Sequence, residues 1–237
     1  MMGPGPQRST DEASGLPLGE RSPPLGESER TVAFLLALRT QGVRDRAVLR
    51  AMELVPRERF APNRFADLAR TDVSVPLPCG QTMTQPTTVA ALLATLEVSA
   101  GQRVLEVGTG SGYVTALLAH MGARVTSLER YRTLALAAHE RLAGLGAQHV
   151  ELRHADGLQP DRTLGRFERI LVNGVTDMLP EALLARLAPQ GMLVGALRID
   201  GLPRKVIVTR ALDGTLSHSL GGAVRLPPLA SGLSQAM

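Results

Sequence analysis

Residues 104–112 have the sequence VLEVGTGSG, which carries the strongest fold signal in the chain. A short apolar run, typical of a buried strand, is followed by glycines spaced by one residue and then by an apolar helical pattern from Tyr113. A strand, a glycine turn and a helix in this order are typical of the first unit of an α/β sheet, which binds its ligand beyond the carboxyl ends of its strands. The residues around the turn indicate which ligand it can hold.

The chain after this stretch alternates between strand and helix patterns. Strands are predicted at 103–107, 124–128, 149–154, 169–172 and 192–197, with helices at 113–121, 131–144 and 180–187. This alternation predicts an α/β fold with a doubly wound, mostly parallel sheet. Asp213 and Gly214 lie between two further extended runs and are typical of a hairpin turn, so antiparallel strands are expected at the carboxyl end.

The first hundred residues have a different composition. Residues 1–28 are rich in Gly, Pro, Ser and charge, which predicts a disordered tail. Two helical patterns follow, with Ser28 and Asp45 as their expected N-caps. Pro86 suits the first position of a third helix. The sequence therefore predicts an N-terminal helical addition in front of the sheet.

The composition argues against several kinds of partner. The chain has no Trp, two Tyr (Tyr113 and Tyr131) and four Phe, so it has few side chains on which bases could stack. Its net charge of +4 is small. No nucleic-acid binding is therefore predicted. Cys79 is the single cysteine, and the N-terminus lacks a secretion signal, which predicts a cytoplasmic location. No apolar run is long enough for a membrane span, and the five His show no metal-ligand spacing, so neither membrane nor metal is predicted.

Three acids indicate that the turn holds a nucleoside without phosphates. Glu106 precedes the turn, Glu129 closes the second strand 21 residues after Gly108, and Asp156 with Gly157 closes the third. A carboxylate beside the turn attracts a cationic amino-acid group and repels a pyrophosphate. An acid after the second strand can accept hydrogen bonds from ribose hydroxyls, and one after the third can approach an adenine. The set favours S-adenosylmethionine over NAD.

Simpler explanations and a rival cofactor remain open at this point. Glu129 could be a solvated strand end, and Asp156 could cap a turn with Gly157. A dinucleotide fingerprint has its third glycine at the sixth position of the loop, where this chain has Tyr113 after Gly112. An NAD-dependent oxidoreductase fits this loop less well and is kept as an alternative.

Several segments together resemble the protein-L-isoaspartate O-methyltransferase family. They are GQTMTQP at 80–86, VPRERFAP at 55–62, ADG at 155–157 and PEALLARLAPQGMLV at 180–194, beside the glycine turn itself. The resemblance covers about residues 30 to 230. The glycine turn alone is typical of the wider class of methyltransferases, and GQTMTQP just ahead of it makes the resemblance specific.

The resemblance implies the class I methyltransferase fold, a seven-stranded Rossmann-like sheet, and methyl transfer from S-adenosylmethionine to L-isoaspartyl residues of damaged proteins. It implies one domain over 29–237, with a helical covering region at 29–100, a cofactor-binding core at 101–200 and a C-terminal hairpin at 201–237. Thr84 stands where the family motif has its active-site Ser and is the predicted catalytic residue. The predicted cofactor-binding residues are Gln81, Thr82, Met83, Glu106, Gly108, Thr109, Gly110, Ser111, Gly112, Glu129, Asp156 and Gly157.

The sequence departs from the family pattern at positions that concern the methyl acceptor. NGVTD at 173–177 replaces an Ala-rich run with a Pro, Ala155 replaces a glycine, and Thr84 replaces Ser. The alternatives are a divergent member that methylates another peptide or a small carboxylate, and a non-catalytic cofactor-binding protein. Thr82 and Thr84 could also cap the helix that begins at Pro86.

Overall fold

The structure is a computed structural model that describes Met1 and residues 26–234. Most of the predicted disordered tail, residues 2–25, lies outside the described residues. Its last residues differ from the prediction, because the first helix begins at Glu27 with Gly26 as its N-cap. The Glu29 side chain accepts a hydrogen bond from Gly26 N at 2.9 Å, so Ser28 lies inside the helix and is not its cap.

The helices, and the strands after residue 100, follow the predicted order, whereas two short strands before Pro86 were not predicted. The helices are α1 Glu27–Thr40, α2 Arg46–Leu54, α3 Pro86–Leu96, α4 Tyr113–His120, α5 Arg132–Gly144 and α6 Glu181–Leu184. The strands are β1 Val75–Pro76, β2 Thr82–Met83, β3 Arg103–Val107, β4 Arg124–Glu129, β5 Val150–His154, β6 Phe167–Thr176, β7 Leu187–Ile199, β8 Leu202–Arg210 and β9 Leu216–Ala223. Asp45 caps α2 as predicted, with its Oδ1 accepting from Val48 N at 2.9 Å.

The main sheet confirms the predicted fold class. Its seven strands have the order β5-β4-β3-β6-β7-β8-β9, with parallel pairing from β5 to β7 and antiparallel pairing at β7–β8 and β8–β9. Strands β1 and β2 form a separate antiparallel pair just before α3. Parallel pairing places the carboxyl ends of β3, β4, β5 and β6 at one edge of the main sheet, where the sequence predicts the ligand.

Both faces of the sheet are buried, as a doubly wound fold requires. Val104 faces a core formed largely with helices α1 to α4, whereas Leu105 faces a second core that contains Leu183 of α6. This alternation along β3 follows from the two-residue period of a strand. The apolar run of the opening stretch is therefore explained by burial on two sides.

Two boundaries differ from the prediction in a way that affects the site. Helix α6 covers only Glu181–Leu184, since Leu187 already begins β7. Strand β6 extends to Thr176 and so includes most of the departing NGVTD segment. The division of the chain into 29–100, 101–200 and 201–237 stays a prediction. Among the described residues, no helix is both long and apolar enough to span a membrane.

The C-terminal segment, residues 224–234, crosses the carboxyl edge of the sheet. It bridges to β6 at Val175 through Pro228 and to Tyr131, just after β4, through Ser234. Because β3 lies between β6 and β4, this segment runs over the glycine turn that follows β3. It therefore covers the place where the sequence predicts a ligand.

Candidate active site

The predicted site residues surround one cavity at the carboxyl edge of the sheet. Its volume is about 780 Å³ including its open mouth, within the usual range of small-molecule sites. The predicted residues that line it are Gln81, Thr82, Met83, Thr84, Gly108, Thr109, Gly110, Ser111, Glu129, Asp156 and Gly157. Glu106 and Gly112 are not among the lining residues. The structure thus brings together segments that are up to 76 residues apart in the chain, from Gln81 to Gly157.

The glycine turn needs glycine for backbone and packing reasons. Gly108, Gly110 and Gly112 all have positive φ, at 90°, 56° and 88°, which other residues rarely adopt. A Cβ at Gly112 would lie 3.2 Å from Ala138 Cβ on α5, so this glycine lets α4 begin close to α5. Gly112 therefore supports the shape of the turn and does not reach the cavity.

Glu129 closes the glycine turn from the neighbouring strand. Its Oε2 accepts from Gly110 N at 2.8 Å and its Oε1 from Tyr131 N at 3.0 Å. The side chain is nearly buried, and burial raises the pKa of its carboxyl while these backbone amides oppose that shift. The turn amide that could bind a phosphate already donates to a carboxylate, which would also repel a phosphate. The turn is consequently unsuited to a pyrophosphate and leaves carboxylate lone pairs for ribose hydroxyls.

Glu106 lies beneath the turn, contrary to the expectation of direct contact with the cofactor. It is fully buried, and its Oε2 accepts from Thr115 Oγ1 at 2.5 Å and from Ser127 Oγ at 2.7 Å. Ser127 Oγ in turn lies 2.6 Å from Thr109 Oγ1, which belongs to the turn. Burial raises the pKa of the Glu106 carboxyl to about 7. Glu106 therefore supports the turn through Ser127, which contacts both Glu106 and Thr109.

Asp156 lines the cavity, but both of its oxygens already have partners in the protein. Its Oδ1 accepts from Leu158 N at 2.9 Å. This hydrogen bond forms the local turn that the sequence analysis gave as the simpler explanation for Asp156. Its Oδ2 accepts from Gly232 N at 2.6 Å and so holds the C-terminal segment across the cavity. Recognition of adenine by Asp156 stays a prediction. Gly157 is required for packing, because a Cβ there would lie 2.5 Å from Val107 Cγ1.

Thr84 presents a hydroxyl to the same cavity. Its side chain is almost buried, and its Oγ1 makes no hydrogen bond with any described residue. The N-cap of α3 is Gln85 and no side chain caps this helix, so neither Thr82 nor Thr84 has the capping role considered above. The Thr84 carbonyl accepts from the buried guanidinium of Arg57 at 2.9 Å, which fixes the backbone that carries the hydroxyl.

The sequence did not identify several residues that line the cavity. Arg130 and Tyr131 follow Glu129 directly, and Arg130 Nε donates to Gly232 O at 2.8 Å. Asn173 lies within the bulged part of β6, and residues 227–230 belong to the C-terminal segment. The extra polar side chain at Asn173 was noted only as a departure. Nothing local in residues 227–230 predicts their position, since they are placed by pairing with Val175.

The structure combines a doubly wound seven-stranded sheet with an antiparallel end, a glycine turn after β3 and an acid that caps the turn. These features together define the class I methyltransferase fold. A family model for protein-L-isoaspartate(D-aspartate) O-methyltransferase matches residues 29–233. The chain therefore belongs to the protein-L-isoaspartate O-methyltransferase family.

Individual relatives agree with this assignment. The protein-L-isoaspartate O-methyltransferase of Azorhizobium caulinodans is 40% identical over 213 residues, which cover 88% of this chain and 97% of that protein. The Nitrobacter winogradskyi protein of the same name is 38% identical over 221 residues, 93% of this chain and 99% of that protein. Among solved structures, a Plasmodium falciparum protein assigned to the same activity, in complex with S-adenosyl-L-homocysteine, superposes with a TM-score of 0.77 at 25% identity and covers 84% of this chain and 98% of its own.

Proposed function

We propose that this chain is an S-adenosylmethionine-dependent carboxyl methyltransferase that methylates L-isoaspartyl residues of damaged proteins and so begins their repair. The observation that carries the proposal is the position of Thr84. Its free hydroxyl lines the same cavity as a glycine turn that is capped by Glu129 and closed to phosphates. A hydroxyl beside a nucleoside site can donate to an acceptor carboxylate and align it for transfer of the methyl group.

The residues of the cavity fit this cofactor. Gly110 leaves room over the turn, since a Cβ there would approach only Leu77 Cδ1, at 3.7 Å. Glu129 offers acceptors for ribose hydroxyls, and a carboxylate at this place suits a cationic ligand. The cofactor, when bound, supplies a methyl group on a positively charged sulfur. Gln81 and Met83 line the cavity beside Thr84 and would hold the cofactor and the acceptor in contact.

The proposed reaction requires no general base. A side-chain carboxylate has an unperturbed pKa of about 4 and is ionised at neutral pH. In the transfer, one carboxylate oxygen forms a bond to the methyl carbon while the bond from that carbon to sulfur breaks, and no proton moves. The hydroxyl of Thr84 donates to the other oxygen and aligns the carboxylate. Leu229 and its neighbours in the C-terminal segment line the cavity and would limit the access of water once the ligands are bound.

The experiment that tests the proposal compares an isoaspartyl peptide with its aspartyl twin. Labelled S-adenosylmethionine is expected to transfer its methyl group to the isoaspartyl peptide, as a base-labile ester, and not to the twin. Labelling of both peptides equally, or of neither while the cofactor binds, would refute the proposed acceptor. Labelling of a small carboxylate alone would support the divergent alternative, and no labelling of any acceptor would support a non-catalytic binding protein.

The proposal includes a cytoplasmic location, one domain over 29–237, and no nucleic-acid partner. The single cysteine, Cys79, supports a reducing compartment. The continuous pairing of β7 with β8 supports treating 101–200 and 201–237 as parts of one unit. The scarcity of aromatic residues supports the absence of a nucleic-acid surface.

A further inference from the structure

Asn173 has a buried amide oxygen without a partner. Its Oδ1 makes no hydrogen bond with any described residue, and the residue lines the same cavity as Thr84 and the glycine turn. Its Nδ2 donates to Gly108 O at 3.3 Å, which orients the amide with Oδ1 as the free acceptor. A buried acceptor is unfavourable unless something donates to it. The position is therefore suited to a donor that a ligand brings.

The backbone around Asn173 is shaped to bring this side chain to the cavity. Strand β6 bulges over residues 172–174, so that Gly195 of β7 alone lies opposite these three residues. Bulges of this kind redirect side chains and are common beside binding sites. A Cβ at Gly174 would lie 2.5 Å from Leu229 Cγ, so glycine at this position lets the C-terminal segment close over the bulge.

The order of the strands indicates which part of a ligand reaches Asn173. Glu129 and Asp156 end β4 and follow β5, whereas Asn173 belongs to β6, on the opposite side of the turn after β3. Two strand spacings, about 10 Å, separate the β4 and β6 sides. A nucleoside whose ribose lies at Glu129 therefore directs the amino-acid chain on its C5′ towards Asn173.

We propose that Asn173 Oδ1 accepts a hydrogen bond from the α-ammonium group of the bound S-adenosyl cofactor and positions the sulfur for transfer. This inference rests on the proposed function. An ammonium group has only donors and needs acceptors in a buried site. An uncharged amide oxygen supplies one without placing a second negative charge near the carboxylate that receives the methyl group. Asn173 is thus a cofactor-positioning residue.

The test is a thermodynamic cycle that removes the Asn173 side chain and the ammonium group of the ligand separately and together. Wild-type protein and the Asn173→Leu variant are titrated with S-adenosylhomocysteine and with its deamino analogue, which keeps the adenosine, the sulfur and the carboxylate. The variant is expected to raise the Kd for S-adenosylhomocysteine about tenfold or more and the Kd for the analogue less than about threefold. Asn173→Asp keeps an acceptor for the ammonium group but loses the donor to Gly108 O, so its Kd for S-adenosylhomocysteine is expected to lie between those of wild type and Asn173→Leu. Asn63→Leu, at the exposed start of a short 3-10 helix (Asn63–Leu68), is the matched control.

Two results would overturn the inference without touching the proposed function. Equal weakening of both ligands in Asn173→Leu would show a general structural role. An unchanged Kd for S-adenosylhomocysteine with a raised KM for the isoaspartyl peptide would show that Asn173 faces the acceptor. If the two ligands differ as predicted but no methyl transfer occurs, only the proposed function is refuted. If wild-type protein does not bind S-adenosylhomocysteine, both the proposed function and the inference are refuted.

Discussion

Replacing Glu106 by Gln should stabilise the protein above neutral pH. Burial raises the pKa of this carboxyl from 4.5 to about 7 in the folded protein, although Thr115 and Ser127 donate to it. A folded-state pKa above the unfolded value means that the folded state holds the proton more tightly. The stabilising contribution is full below about pH 4.5 and is lost as the pH rises through about 7.

The magnitude follows from this difference in pKa. A shift of about 2.5 units corresponds to about 3 kcal/mol, lost at about 1.4 kcal/mol per pH unit between the two pKa values. Gln is a neutral isostere of the protonated acid, so Glu106→Gln removes this loss and should be more stable than wild type by up to about 3 kcal/mol at pH 8.5. The two proteins should be nearly equal at pH 4.5.

Urea denaturation followed by far-UV circular dichroism measures this difference, and it is suitable because the chain has no Trp for fluorescence. Unfolding free energies of wild type and variant are compared from pH 4.5 to 8.5. Glu53→Gln, at an exposed position on α2, is the matched control and should change stability by less than about 0.5 kcal/mol. Parallel pH profiles for wild type and Glu106→Gln would refute the reasoning, since they would show that Glu106 ionises as freely in the folded state as in the unfolded state.

Three further changes test the site. Thr84→Ala should lower kcat/KM for the isoaspartyl peptide about 10- to 100-fold, because a hydrogen bond to a charged group is lost. Thr84→Ser keeps the hydroxyl and should stay within a few-fold of wild type. Equal activity of the two variants would contradict the role of the hydroxyl. Glu129→Ala should weaken S-adenosylhomocysteine binding by about 1–3 kcal/mol in calorimetry, and an unchanged Kd would show that Glu129 is not the ribose ligand. Gly174→Ala should destabilise the protein by about 1–3 kcal/mol in urea denaturation, since its Cβ would lie 2.5 Å from Leu229 Cγ, and adding Leu229→Ala should restore part of the loss; full additivity of the two changes would contradict the contact.

The fold was predictable because its signals are local. The short apolar run at residues 103–107, the glycines of the turn and Pro86 at the start of α3 each determine the backbone over a few residues. The alternation of strands and helices then permits few topologies. Errors in the prediction fell on element ends, such as Ser28 and the short α6, where a side chain or a neighbouring strand decides between nearly equal choices.

The sequence predicts which residues form the site better than it predicts which contacts these residues make. Eleven of the thirteen predicted site residues line the cavity, because the spacing of the motifs identifies which strand ends meet there. The direction of the Glu106 side chain, away from the cavity and towards Ser127, depends on the pleat of β3 and on Thr115 one element away. The second partner of Asp156 is Gly232, 76 residues further along the chain, which no local pattern could indicate.

An acid-capped glycine turn should accept a cationic nucleoside and reject one that carries phosphates. Calorimetric titration of wild-type protein with S-adenosylhomocysteine and with NADH tests this selectivity most directly, because Glu129 occupies the Gly110 amide that a pyrophosphate would need. We predict saturable binding of S-adenosylhomocysteine and no measurable binding of NADH under the same conditions. Binding of NADH that equals or exceeds that of S-adenosylhomocysteine would contradict the account.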